Sequence, residues 1–248
     1  MRTVGVLGGM GPAAGADFAR LFVQACTERL QILGLPINDQ AYPPHWLAQL
    51  PLPDRSAALD AGSDAPLDPM ATALVQLRAL GASAVAMACN TAHAWHRALQ
   101  LRVPELELLN VADEVAARLR ADSVAEVGLL ATDGTYRSSL YDQALAAVGI
   151  VCHLPLEPER EALMRGIYAG VKTGDIALAC RLFVEVGQAL RTRHGEGLVL
   201  IMGCTEIPLA LPQAPQAADW RLVDPAWLLA QALAERAYAG TGAQHALT

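Results

Sequence analysis

The sequence predicts an α/β fold with two similar lobes, each a mainly parallel sheet flanked by helices. Short runs of continuous apolar residues alternate with helical patterns, which is typical of parallel sheets covered on both faces. The two halves of the chain repeat one order, because each begins with a strand and a glycine-containing turn and later presents a cysteine after a buried strand. With 248 residues and 53% hydrophobic content, the chain can bury a large core.

The first half contains two apolar strands separated by a long irregular stretch. Residues 33–69 are rich in Pro, Gly and Asp, so we predict a loop with a short strand and a short helix inside it. Cys89 directly follows the second strand and opens a predicted helix with Asn90, Thr91 and Ala92. The predicted strands are Thr3–Gly8 and Ala84–Ala88, and the predicted helices are Pro12–Leu30 and Met70–Leu80.

The second half repeats this plan and ends in a helix that we expect to return to the first lobe. The predicted strands are Val124–Ala131, Ile150–Leu154 and Leu198–Met202, and the predicted helices are Arg137–Val148, Glu159–Gly170, Asp175–Arg193 and Pro225–Ala239. We therefore expect one lobe from residues 1–112 and 222–248, which carries Cys89. The other lobe would comprise residues 113–221 and carry Cys204, with the active site in the cleft between the lobes.

Composition and charge exclude several classes of function. The net charge of −7 argues against electrostatic capture of nucleic acid. No apolar run is long enough to span a bilayer, and no secretory signal precedes the first strand, so we expect a cytoplasmic protein without a membrane partner. The odd, sparse set of five cysteines in a chain without a secretory signal argues against a disulfide framework, and the absence of a C-x-x-C pair argues against a zinc site. The turn Gly8–Pro12 is neither G-x-G-x-x-G nor a P-loop, so a nucleotide site is not expected.

Cys89 and Cys204 are the candidate catalytic residues. Ligands of parallel sheets bind beyond the carboxyl ends of the strands, and a helix N-terminus there lowers the pKa of a thiol towards neutrality. Two such cysteines suit the inversion of a stereocentre, in which one group removes the α-proton and the other delivers a proton to the opposite face. Fixed donors must stabilise the charge that develops on the substrate. The candidate donors are the amides of Asn90, Thr91 and Ala92 and the side chains of Asn90, Thr91 and Thr205.

The ordered motifs resemble the aspartate racemases of the aspartate/glutamate racemase superfamily. The similarity runs from Val4 to about Ala239 and rests on the following stretches: Leu7-Gly8-Gly9-Met10-Gly11-Pro12, Pro53-Asp54-Arg55, Ala88-Cys89-Asn90-Thr91-Ala92-His93, Leu129-Leu130-Ala131-Thr132-Asp133-Gly134-Thr135, Met164-Arg165-Gly166-Ile167-Tyr168, Val171-Lys172 and Gly203-Cys204-Thr205-Glu206.

The resemblance implies an amino-acid racemase that needs neither pyridoxal phosphate nor a metal, acts as a homodimer and uses Cys89 and Cys204 as its two bases. It places Met10, Asn90 and Thr91 around the substrate. It also implies that Arg55 and Lys172, the only lysine among 18 basic residues, contact the substrate carboxylates. The resemblance further implies that three threonines line the pocket, namely Thr132, Thr135 and Thr205.

Some residues depart from the pattern of the family and keep other readings open. Leu47–Leu50 replaces the asparagines that often precede Pro-Asp-Arg, and the stretch Tyr42–Trp46 is unusual, so aspartate itself is in doubt. A glutamate racemase or a broad-specificity amino-acid racemase is one alternative. A related isomerase or lyase that acts on a small diacid, of the maleate isomerase or malonate decarboxylase type, is another, and a non-catalytic amino-acid-binding protein is a third. Glu206 could assist Cys204 or cap a helix, and His93 could pack or act as a base partner.

Overall fold

The computed structural model of the chain describes residues 1–240. Contacts divide the chain into two compact units, which we call the first unit (Met1–Val111 with the chain from Ala226 onward) and the second unit (Ala112–Pro225). Each unit contains one four-stranded sheet in which all strand pairs are parallel. The predicted α/β fold is therefore confirmed. The end of the predicted first lobe, residues 241–248, lies outside the described residues.

The two sheets have the same strand order. The strands are β1 (Val4–Gly8), β2 (His45–Gln49), β3 (Ala84–Met87), β4 (Glu107–Leu108), β5 (Glu126–Ala131), β6 (Val151–His153), β7 (Val199–Gly203) and β8 (Leu222–Val223). The first sheet has the order β2-β1-β3-β4 and the second β6-β5-β7-β8. Each strand of the first sheet thus has a counterpart in the second, with β1 matching β5 and β3 matching β7.

Ten α-helices connect and cover these strands in the described part of the chain. They are α1 (Pro12–Ile32), α2 (Arg55–Asp60), α3 (Leu67–Ala79), α4 (His96–Arg102), α5 (Val111–Ala121), α6 (Asp133–Arg137), α7 (Leu140–Ala147), α8 (Glu157–Arg165), α9 (Ile176–His194) and α10 (Pro225–Ala237). None of the helices within residues 1–240 combines the length and the apolarity needed to cross a membrane.

The helices bury the apolar stripes that the sequence predicts. Helix α1 begins with Pro12 in its first turn and buries Phe18, Leu21 and Phe22, which recur with helical spacing. In the first unit, Leu74 of α3 packs in one cluster with strand residues such as Met87. In the second unit, an equivalent cluster joins residues of β5 and β7 to α9, among them Leu130, Leu200, Met202, Phe183 and Val186.

Several elements differ from the prediction. The predicted helix Arg137–Val148 is the shorter helix α7, which begins only after Ser139, a residue with a left-handed φ of 49°, and the residues predicted to turn before it form the separate helix α6. The predicted helix Glu159–Gly170 is α-helical only to Arg165 and continues as a π-helical turn over Gly166–Gly170. Helix α5 and the two-residue edge strands β4 and β8 were not predicted, whereas the short strand and helix expected within residues 33–69 are β2 and α2.

Candidate active site

In the first unit, the segments that follow β1 and β3 lie at the same edge of the sheet. The two strands are parallel neighbours, with Leu7 paired to Met87. Met10 follows β1, and Cys89 lies two residues beyond β3. The amide of Ala88 donates to the Leu7 carbonyl at 2.9 Å, so the chain stays paired to β1 until it reaches the cysteine.

Cys89 lies in a buried turn that His93 stabilises. The Cys89 and Thr91 residues are only 7% and 6% exposed, Asn90 is also buried, and Ala92 is fully buried. The imidazole Nδ1 of His93 lies 2.9 Å from the carbonyl oxygen of Cys89, which makes Nδ1 the protonated nitrogen. His93 therefore supports the backbone of the turn.

A helical segment does begin just after Cys89. It starts as a 3₁₀ turn over Thr91–Trp95 that runs directly into α4 at His96. The helix expected at Cys204 is absent, because the chain there forms only a three-residue 3₁₀ turn over Ile207–Leu209. Because the field of a helix dipole comes from a run of aligned peptides, so short a turn supplies little of it at Cys204.

The loop after β1 is held by a glycine whose conformation and surroundings admit no side chain. Gly9 has φ +88°, and a Cβ atom built there would lie 2.1 Å from the carbonyl oxygen of Leu50. The side chain of Gln49 packs against Gly8 and donates to the Pro12 carbonyl at 3.0 Å. These contacts fix the backbone on both sides of Met10.

Arg55 is a buried arginine that is tied to the same loop. It lies in the first turn of α2, after Asp54, whose side chain caps the helix by accepting from the Ala57 amide. The guanidinium donates to the carbonyls of Met10 at 2.7 Å and Pro53 at 2.8 Å, and Arg55 is 9% exposed. Its Nε is buried and has no hydrogen-bond partner. The structure thus brings the predicted residues Met10 and Arg55 into contact.

In the second unit, Thr132 and Cys204 follow the neighbouring strands β5 and β7, in which Ala131 pairs with Gly203. The Thr132 hydroxyl accepts from the Thr135 amide at 3.3 Å and lies 3.1 Å from the Thr135 hydroxyl, so these two predicted pocket residues form one buried cap. Tyr136, which the sequence did not single out, donates to the Leu129 carbonyl at 3.0 Å and stabilises the end of β5.

Cys204 makes a direct hydrogen bond to a buried carboxylate. Its Sγ donates to Oε2 of Glu206 at 3.0 Å, and the Thr205 hydroxyl donates to the same oxygen at 3.1 Å. Both Cys204 and Glu206 are 6% exposed. The sequence left open whether Glu206 assists the cysteine, and the geometry places it in contact with the sulfur. The sequence signals for Glu206 were its position two residues after Cys204 and its place in the stretch Gly203-Cys204-Thr205-Glu206.

Lys172 is exposed to solvent, and its ammonium lies beside Glu206. Its Nζ is 3.8 Å from Oε1 of Glu206 and 4.4 Å from the centre of the Tyr168 ring. The π-helical turn Gly166–Gly170 precedes it, and the residue itself lies in a 3₁₀ turn, Val171–Thr173. This contact joins two motifs that are 34 residues apart in the sequence (206 − 172) and was not predicted.

The other cysteines lie in different surroundings. Burial raises the pKa of the Cys26 and Cys152 thiols to about 12, so both stay protonated at neutral pH. Cys180 donates to the Ala210 carbonyl at 3.2 Å.

Within residues 1–240, no group of three or more His, Cys, Asp and Glu residues is arranged to hold a metal ion. An open cavity of about 750 Å³ borders Tyr136, Leu154 and Arg160, and its lining includes none of the predicted site residues.

Comparison with known proteins identifies the family. Residues 7–233 match the family model of Asp/Glu/hydantoin racemases. The chain belongs to the Asp/Glu/hydantoin racemase family. This membership confirms the predicted superfamily and the racemase class of isomerase.

Three relatives show the range of this racemase family. The chain is similar to an aspartate racemase from Picrophilus torridus, with 26% identity, a TM-score of 0.76 and coverage of 96% of this chain and 94% of that one. It shares its fold with an aspartate racemase homologue from Pyrococcus horikoshii, with 24% identity, a TM-score of 0.72 and coverage of 96% and 99%. It is also 29% identical over 151 residues to the broad-specificity amino-acid racemase RacX of Bacillus subtilis. This alignment covers 59% of this chain and 61% of the relative.

Proposed function

We propose that this racemase inverts the α-carbon of an amino acid without a cofactor, with aspartate as substrate and with Cys89 and Cys204 as its two acid–base groups. The observation that carries the proposal is the equivalent position of the two cysteines. Cys89 follows β3 and Cys204 follows β7, which are the matching strands of two sheets with one strand order. A repeated cysteine at a ligand-binding strand end is the pattern that a two-base reaction needs.

In the proposed reaction, a thiolate removes the α-proton, so that the C–H bond breaks and an S–H bond forms. The other cysteine, as a thiol, then gives its proton to the opposite face of the carbanion. The reverse reaction exchanges the two roles. Asn90 and Thr91 beside Cys89, and Thr132 and Thr135 in the second unit, supply donors of the kind that stabilise the developing carboxylate charge, whereas the Thr205 hydroxyl already donates to Glu206. The low exposure of both cysteines supports a site from which bulk water is excluded.

Arg55 supports a substrate that carries a carboxylate. A buried guanidinium with an unpartnered Nε can donate to a carboxylate oxygen, and such charge-assisted bonds are stronger than neutral ones.

Similarity to the Picrophilus torridus aspartate racemase supports a diacid as the substrate. The similarity to RacX favours a second candidate, a racemase with broad amino-acid specificity. The homodimer implied by the family resemblance belongs to the same proposal, and sedimentation velocity tests it.

A heavy-water experiment tests the proposed reaction. Incubation with L-aspartate in D₂O without added cofactor should give α-deuteration and loss of optical rotation. Cys89→Ala and Cys204→Ala should each lower turnover by at least about 10²-fold, the contribution of one acid–base group, whereas Cys180→Ala, the matched control, should not. A panel of single amino acids scored by chiral chromatography then separates aspartate from broad specificity. No racemisation of any amino acid by the wild type refutes the proposal.

A further inference from the structure

We propose that Glu206 is a positioning residue that keeps Cys204 in its protonated form, so that Cys204 is the proton donor of the resting enzyme and Cys89 the proton acceptor. The inference rests on the proposed function, because it assigns starting roles to the two proposed acid–base cysteines. The family comparison gives Glu206 no role, and the sequence left its function undecided.

The first step is the direction of the hydrogen bond. An ionised carboxylate has no hydrogen to donate, so the 3.0 Å contact between Cys204 Sγ and Glu206 Oε2 requires the hydrogen to be on the sulfur. The Thr205 hydroxyl also donates to Oε2, and the Lys172 ammonium lies near Oε1. Three donors therefore surround a carboxylate that is 6% exposed.

The second step is the cost of removing that hydrogen. Loss of the Cys204 proton would place a thiolate about one hydrogen-bond length from the Glu206 carboxylate, and two like charges at such a distance repel strongly where water is scarce. Among the described residues, Lys172, which partly offsets this repulsion, and Tyr141 of α7 are titratable groups that face the pair. Burial raises the pKa of the Tyr141 phenol well above its usual range, so Tyr141 adds no further charge.

The chemical step then balances. Cys89 as a thiolate takes the α-proton, and Cys204 gives its own proton to the carbanion, so that one S–H bond breaks and one C–H bond forms. Glu206 keeps its charge throughout. The Lys172 ammonium, which the family resemblance assigns to a substrate carboxylate, instead serves here to hold the charge on Glu206.

Alkylation of the thiols tests the inference without any substrate. The wild type and Glu206→Gln are treated with iodoacetamide across a pH series, and the modification of each cysteine is followed by peptide mass spectrometry. Glutamine keeps the shape of the side chain but removes its charge. We therefore expect the profile of Cys204 to move to lower pH by at least about one unit, a tenfold gain in reactivity at a fixed pH on the rising limb.

Matched controls separate this effect from damage to the fold. Cys180 lies in the same unit, and its alkylation profile should not move in Glu206→Gln. The exposed carboxylate variant Glu161→Gln should leave the Cys204 profile unchanged. An unchanged or upward-shifted Cys204 profile in Glu206→Gln overturns the inference.

Infrared spectroscopy of the wild type provides a second measurement that does not depend on the stability of Glu206→Gln. At neutral pH the S–H stretching band that disappears in Cys204→Ala should lie at a lower frequency than that of an unbonded thiol. If no such band is present, Cys204 is not held as a thiol and the inference is wrong.

Kinetics provide the functional readout. The alkaline limb of the kcat/KM profile reports the acid of the unliganded enzyme, so Glu206→Gln should move that limb to lower pH. A structural role alone would lower kcat/KM evenly across the pH range. Absence of racemisation by the wild type refutes the proposed function, whereas the alkylation and infrared results decide the role of Glu206 independently.

Discussion

At the scale of single residues, the first unit uses an arginine and a histidine to organise its loops. Arg55 donates to the carbonyls of Met10 and Pro53, and His93 bonds the carbonyl of Cys89. Both side chains are buried, and both act on backbone oxygens next to predicted site residues. Their contributions can therefore be tested through substrate binding for Arg55 and through acid stability for His93.

Arg55→Lys should weaken substrate binding, because an ammonium cannot reproduce the planar fork of a guanidinium. We expect KM for aspartate to rise by about 10- to 100-fold, the value of a hydrogen bond to a charged group. Steady-state kinetics with aspartate and alanine locate the contact: a loss with both indicates the α-carboxylate, and a loss with aspartate alone indicates the side-chain carboxylate. Unchanged KM values with both amino acids would show that Arg55 has only a structural role.

His93 should make the protein sensitive to acid. Burial lowers the pKa of its imidazole from 6.5 to about 4, with a smaller effect from His96. Between these values the unfolded chain binds a proton that the native chain does not, so the stability from this group is lost as the pH falls from about 6.5 to 4. The loss is about 3 kcal/mol.

Urea unfolding of the wild type and His93→Gln across this pH range measures the effect. The free energy of unfolding of the wild type should fall more steeply with decreasing pH than that of the variant. His45→Gln, in the same unit, serves as the control and should keep the slope of the wild type. Parallel slopes for the wild type and His93→Gln would contradict the assignment.

At the scale of elements, the loop between β1 and α1 depends on Gly9. Gly9→Ala places a Cβ atom 2.1 Å from the Leu50 carbonyl oxygen and forces a left-handed φ on alanine. Gly34→Ala imposes a similar φ, but nothing lies within 4 Å of its Cβ. Gly34→Ala should therefore cost only about 1–2 kcal/mol of stability, whereas Gly9→Ala should cost more and also lower activity by displacing Met10. Thermal unfolding and racemase assays of both variants check this, and equal effects would refute it.

Elements with strong local patterns could be predicted from the sequence. The buried strands β1, β3, β5 and β7 and the amphipathic helices α1, α3 and α9 were all anticipated, because continuous apolar runs and helical spacing are local properties. The two-residue strands β4 and β8 were not anticipated. They form only because each pairs with a neighbour distant in sequence, a property that no window of residues contains.

The candidate site likewise has features that could be predicted from the sequence and features that could not. The positions of Cys89 and Cys204 at strand ends could be predicted, because they depend only on where each apolar run stops. The absence of a helix after Cys204 could not, because favourable N-terminal residues do not reveal that the backbone forms only a short 3₁₀ turn. The contact of Lys172 with Glu206 depends on the fold of a π-helical turn, which has no clear sequence signature.

At the scale of the whole molecule, the first unit is completed by the last helix of the described chain. The carbonyl of Ala237 accepts from the Arg2 amide at 2.7 Å, and Arg236 donates to Glu107 at 2.8 Å. Leu229 and Leu233 of α10 are 1% and 0% exposed. Helix α10 is therefore tied both to the segment that leads into β1 and to the edge strand β4, although these three parts are far apart in the sequence.

Leu233→Ala should destabilise the protein by about 2–5 kcal/mol, because it removes a fully buried side chain. Glu235→Ala, on the same helix but exposed, should change stability by no more than about 0.5 kcal/mol. Urea unfolding of the two variants measures both values. A loss below about 1 kcal/mol for Leu233→Ala would show that α10 is dispensable for the first unit.

The second unit is formed by one continuous stretch of the chain, Ala112–Pro225, and this has a consequence for folding during synthesis on the ribosome. Every residue of that unit has been translated before α10 exists, so the later-encoded half can finish folding first. The earlier half must wait on the order of ten seconds at ordinary elongation rates, with the surface meant for Leu229 and Leu233 still uncovered. A nascent chain whose residues up to Pro225 have left the ribosomal exit tunnel, but which lacks α10, should therefore hold the Cys204–Glu206 pair assembled while the half that bears Cys89 remains sensitive to protease.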